Sequence, residues 1–171
     1  FGGIAEAAAA LPVSSALIDG EIVAFKDGKP DFSTLKDAIG AGGALKQVLV
    51  TAGLSDLLVR LADGGAISPL VLAWGVSVCI RLATGSATVA TITTAGVMQG
   101  LVAASGVDPE WMVLAIGAGS LFFSHVNDPG FWLVKSYLGT DMPGTFKTWS
   151  IMETVISVSG LVLVLVIDLV I

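Results

Sequence analysis

The stretch from Ala115 to Tyr137, AIGAGSLFFSHVNDPGFWLVKSY, limits what this chain can fold into more than any other. It starts as an apolar, helix-forming run with small residues at Gly117, Ala118, Gly119 and Ser120. It breaks at Ser124-His125-Val126-Asn127-Asp128-Pro129-Gly130 and resumes through Phe131, Trp132, Leu133 and Val134. In lipid every backbone polar group needs an internal partner, so such a break is tolerated only where protein buries it or it lines a wet cavity. The sole histidine of the chain lies in the break, beside a carboxamide and a carboxylate. Ionisable groups at such a place are functional candidates, and discontinuous apolar helices are the sequence mark of a transporter's binding site.

The composition suits the same medium. Only 13% of the residues are charged and 54% are hydrophobic, against about 25% charged in soluble domains. The expected fold is an all-α polytopic membrane protein with broken or re-entrant helices, preceded by a short soluble α/β-like N-terminal segment. A net charge of −6 offers no basic face to nucleic acid. The single Cys79 excludes an intrachain disulfide and a cysteine-based zinc site, and its apolar surroundings predict an inert core residue. Neither a metal nor a cofactor is expected. The chain begins with Phe1 instead of Met and shows no cationic segment before an apolar one, so no cleavable signal peptide is expected. Its length accommodates roughly three to five spans of about 20 residues, as expected of a fragment of a larger transporter.

Residues 1–40 differ in kind. They hold nine of the 22 charged side chains, from Glu6 to Asp37. Ile4 to Leu11 predicts a helical run closed by Pro12, Ala16 to Phe25 a strand, and Lys26 to Pro30 a turn, with Asp31 as a helix N-cap. The segment IDGEIVAFKDGKPDFSTLKDAI resembles the adenylation domain of ATP-dependent DNA ligases, in which the glutamate of the DGE motif, here Glu21, helps hold metal and nucleotide. The family's lysine nucleophile in KxDG and its later motifs have no counterpart here. The resemblance therefore implies a non-functional domain fragment, and no enzyme activity is expected.

After Gly40 the syntax turns apolar. Gly40 to Val50 predicts a glycine-rich start to a helix, a poor match to a phosphate loop. Leu54, Leu57, Leu58 and Leu61 carry the spacing of an amphipathic helix. Ile67 to Leu82 is the first predicted span, opened by Ser68-Pro69. Its Arg81 either snorkels to an interface or faces a substrate carboxylate. Thr84 to Ala104 is uncharged and rich in Gly, Ser, Thr and Ala. It is either a close-packing helix or a broken one, whose start at Gly85-Ser86-Ala87-Thr88 presents free N–H groups and hydroxyls to an anion. Asp108-Pro109-Glu110 predicts a further helix start, Trp111 and Trp149 interfacial anchors, Gly139 to Thr148 a polar connection, and Ser150 to Ile171 the last span.

GAGGALKQVLV, RLATGSATVA, the central stretch and FKTWSIMETVISVSGLVLVL together resemble the gluconate permease family. The likeness runs from about residue 40 to the end, with Pro129 a local departure where a small residue would be expected. It implies two regions, 1–40 and 41–171, the second being the C-terminal part of a proton symporter for gluconate and related sugar acids. It further implies a multi-pass location in the bacterial inner membrane, a lipid bilayer as surroundings, and a missing N-terminal part of the permease as partner. A sugar acid needs hydrogen-bond partners for its hydroxyls, expected from Ser86, Thr88, Ser124 and Asn127. It needs positive potential for its carboxylate, expected from Arg81 and the helix start at Gly85. Proton coupling points to His125, or to Asp128 or Glu153 through burial. Asp128 is the expected carrier if it is buried, coupled to His125 across one helical face. A structural role for His125, and a membrane scaffold that transports nothing, are the alternatives.

Overall fold

The computed structural model describes residues 25–26, 29–30, 32–63 and 67–170. The expected helix at Ile4–Leu11, most of the expected strand, Glu21 and the Asp31 cap lie outside these residues. Phe25–Lys26 (β1) and Lys29–Pro30 (β2) form a two-residue antiparallel ladder, Phe25 opposite Pro30 and Lys26 opposite Lys29. All other described elements are helical: α1 (Phe32–Thr51), α2 (Leu54–Asp63), α3 (Pro69–Thr84), α4 (Ala87–Ser105), α5 (Pro109–Ser120), α6 (Pro129–Tyr137) and α7 (Met142–Val170). α4 and α7 are long and apolar enough to cross a membrane, and α3 is apolar but shorter.

Local chemistry sets the boundaries. Ser68, Ser86, Asp108, Asp128 and Asp141 are N-caps whose side chains accept from backbone N–H groups two or three residues on, and Pro follows four of them within the first turn. Each cap satisfies a donor that a helix start otherwise leaves without a partner. These caps correct several expected boundaries. The central break runs from Leu121 to Asp128, because Pro129 and Gly130 are already the first turn of α6. The expected polar connection before the last span is mostly helix, since Asp141 caps α7 at Met142 and a π-helical turn at Phe146–Ser150 carries the helix onward. The glycine-rich start at Gly40 is no loop, as α1 runs straight through it. Nor is α4 broken within its length; the chain is interrupted before it, at Gly85-Ser86.

The helices pack through small residues. α4 contacts α1, α2, α3 and α5, while α5 contacts α3 and α7. The core gathers Leu58, Leu70, Val97, Met98, Leu101, Met112 and Ile116. Gly119 lets α5 approach α3 so closely that an added Cβ would lie 2.5 Å from the Trp74 carbonyl oxygen and 2.8 Å from Ser77 Cβ. Across the same seam the Ser77 hydroxyl donates to Ile116 O at 2.9 Å, and Trp74 Nε1 donates to Ser157 Oγ of α7 at 3.1 Å. On α2 the inward line is the buried Leu58 with the partly buried Leu54 and Ala62, and Leu57 and Leu61 of the expected stripe are exposed. Cys79 is likewise exposed, on a groove of about 600 Å³ between α1, α2 and α3; its place on the helix turns it away from the core.

The glycine seam yields a sign test. Gly119→Ala should destabilise the fold by about 1–3 kcal/mol, the range for overpacking a tight contact. Gly117→Ala, where no atom lies within 4 Å of the new Cβ, should be neutral or stabilising by up to about 1 kcal/mol from helix propensity. Chemical unfolding in detergent compares the two; equal effects would refute the close seam.

Candidate functional site

Two interruptions meet at one place. α3 ends at Gly85, whose φ of +71° is the left-handed cap that closes the last turn, its N–H donating to Arg81 O at 2.8 Å. The second interruption, Leu121 to Asp128, contains Phe123 with φ of +40°, an uncommon value for a non-glycine residue. A Cβ on Gly85 would fall on the backbone of Asn127, and Asn127 Nδ2 donates to Leu82 O at 2.8 Å. Gly85 is therefore required both for its conformation and for the contact.

Arg81 occupies the junction. It is 4% exposed, so it does not snorkel. Its Nη1 donates to Gly85 O at 2.6 Å. Its Nη2 pairs with Asp128 Oδ2, and with Glu153 Oε2 at 3.4 Å. Its Nε is buried with no hydrogen-bond partner among the described residues. The two carboxylates are held unequally. Asp128 accepts from Arg81, from the Ser124 hydroxyl and from Gly130 N at 2.8 Å, and it caps α6, where a negative charge also meets the positive end of the helix. The side chain of Glu153, 12% exposed, has its long contact to Arg81 and the Ser124 backbone N–H turned toward it. α7 is tied in next to it, the Ser150 hydroxyl donating to Ser124 O at 2.5 Å.

The remaining expected residues divide. The Ser86 hydroxyl accepts from Val89 N at 3.3 Å, which leaves its own proton free to donate. Thr88 is half-buried in the first turn of α4, and its side chain has no hydrogen bond among the described residues. Asn127 is exposed and keeps its amide oxygen free. Ser124, by contrast, spends its proton on Asp128. The break is not helical, so His125 and Asp128 do not share a helical face. The imidazole lies edge-on to Phe123, at 6.0 Å between ring centres, and the Asp128 carboxylate faces Arg81. Sequence reasoning missed Ser150 and Ser157. The signal was available, because 150, 153 and 157 follow helical spacing and form one polar line on an apolar helix.

The unequal grip on the two carboxylates predicts unequal losses. Asp128→Ala leaves a buried cation short of its main partner, and should cost about 3–5 kcal/mol. Glu153→Gln should cost only about 1 kcal/mol, as expected where weak contacts are exchanged for those of an amide of the same shape. Unfolding curves of the two variants in detergent provide the measurement, and comparable losses would show the carboxylates to be equivalent.

Residues 34–170 match the profile described as GntP family permease. The chain is 56% identical over 133 residues to a gluconate permease of Pseudomonas aeruginosa, covering 77% of this chain and 30% of that protein. It is 51% identical over 133 residues to a high-affinity gluconate transporter of Escherichia coli, covering 78% and 30%. It is 51% identical over 130 residues to the Gnt-II system L-idonate transporter of the same organism, covering 76% and 30%. The chain thus spans about 30% of the length of these relatives. No solved structure matches it.

Proposed function

Because the chain belongs to the GntP permease family, a family of membrane transport proteins and not of enzymes, we propose that the whole protein carries gluconate or a related sugar acid by proton symport. The observation that carries this reading is Arg81, a buried cation at the meeting of two helix interruptions with one donor unfilled. The relatives named for gluconate and L-idonate support the substrate class. Both compounds present one carboxylate and a row of hydroxyls.

In this reading Arg81 and the N-terminal turn of α4, at Gly85 and Ser86, attract the carboxylate. Ser86, Thr88 and Asn127 bond the hydroxyls, and Ser124 contributes by holding Asp128 in place. The proton is handled within the buried cluster, by Asp128 or Glu153, with His125 shaping the break. The protein crosses the bacterial inner membrane several times, and the exposed apolar side chains of α7, such as Val155, Leu163 and Val166, face lipid or the rest of the permease. That remaining part completes the path. The family profile begins at residue 34, so residues 1–33 carry no part of this reading. None of the relatives named above is a ligase.

The test is uptake of labelled gluconate into proteoliposomes by the full-length permease that carries this segment. An inward proton gradient should drive accumulation, with competition by unlabelled gluconate and idonate. Arg81→Lys should lower uptake at least about 100-fold, because a point charge cannot replace the planar, bidentate guanidinium. A folded, membrane-inserted permease that moves no gluconate would overturn the reading.

A further inference from the structure

We propose that Arg81 exchanges one carboxylate for another. The substrate's carboxylate takes the Nε and Nη2 edge of the guanidinium, and Glu153, displaced from Nη2, takes up the proton that travels with it. The proposal rests on the sugar-acid reading above and deepens it.

The donors of Arg81 point to this edge. Nη1 is committed to Gly85 O at 2.6 Å. Nη2 is shared between Asp128 and Glu153, and Nε, on the same edge of the planar group, is buried without a partner among the described residues. A carboxylate binds such an edge through two parallel N–H···O bonds, but here only half the edge is in use. An incoming carboxylate fills Nε and competes for Nη2. Of the two occupants, Asp128 is anchored by three donors, and its departure would also uncap α6. Glu153 is held at 3.4 Å by Arg81, has only the Ser124 backbone N–H facing it besides, and is the more exposed of the two. Glu153 is the one that yields.

Charge makes the exchange depend on a proton. One guanidinium and two carboxylates leave the cluster with a single negative charge. A monovalent sugar acid entering unaccompanied would add a second in a buried place, which is costly. A proton bound by Glu153 restores the original charge, so anion and proton enter together. The charged groups facing Glu153 are Arg81 from α3 and Asp128 from the break before α6. Neither Lys147 of α7 nor His125 of the break pairs with it among the described residues.

The test is calorimetric binding of gluconate to the purified full-length permease, repeated in buffers of different ionisation enthalpy to count protons. Binding should take up about one proton per gluconate, and affinity should fall by up to about tenfold per pH unit on the alkaline side. Glu153→Gln should bind with no proton uptake and little dependence on pH, whereas Glu153→Asp should retain both. Gluconate binding without proton uptake by the unmodified protein would overturn the proposal, and that measurement stands even if the glutamine variant does not fold. Persisting uptake in a folded Glu153→Gln protein would also overturn it and move the proton to another group. Failure of the folded, unmodified protein to bind gluconate at any pH would instead overturn the transport reading itself.

Discussion

A buried guanidinium is tolerable only within a shell of acceptors, and the Arg81 shell draws together parts of the chain that have no local reason to meet. Asp128 lies 47 positions from Arg81 and Glu153 lies 72. The third acceptor, the Gly85 carbonyl, is available because α3 has just ended; within a helix it would be engaged by the next turn. The interruption before α4 thus supplies a ligand to the cation, and the interruption before α6 supplies its main counter-charge. Asp128 serves twice, as the cap that starts α6 and as the anion that balances Arg81. Shifting either interruption along the chain would unbalance the cluster.

That double service explains which parts of the structure were readable in advance. A cap acts over two or three residues, so Ser68-Pro69 and Asp108-Pro109 announced their helices directly, and the small residues of Thr84 to Ala104 pointed to the close packing of α4. The two interruptions were likewise visible as clusters of polar and helix-breaking residues. The partners of Arg81 were not, because its charge is compatible with an interface, a substrate or an internal acid, and only the packing of α3 against α5 and of α5 against α7 decides among them. The same gap explains α2. Leu57 and Leu61 fit the helical period as well as Leu58 does, but the neighbour, α4, sits on the side of Leu54, Ser55 and Leu58, where Ser55 donates to Val97 O at 3.0 Å. Periodicity defines a stripe, and tertiary contact selects its position.

The hydroxyls carry the least obvious lesson about polar residues in an apolar chain. Counting Ser and Thr suggested a wealth of partners for a sugar, yet most of these groups are engaged by the protein itself. Thr84, Thr91, Thr148 and Thr154 donate to carbonyls one turn back in their own helices. Ser77 and Thr93 stitch neighbouring helices, to Ile116 O and Gly42 O respectively. An apolar medium demands this, since each unpaired hydroxyl would cost free energy. Abundance is therefore a poor guide to a binding site, and the groups left with spare capacity are the better one. Ser86 retains a proton, Asn127 an amide oxygen and Arg81 its Nε. Thr94 Oγ1 and Trp149 Nε1 are also without a partner among the described residues, within α4 and α7, but those three groups lie where the two interruptions meet, beside the buried Arg81, where an anion with hydroxyls has most to gain.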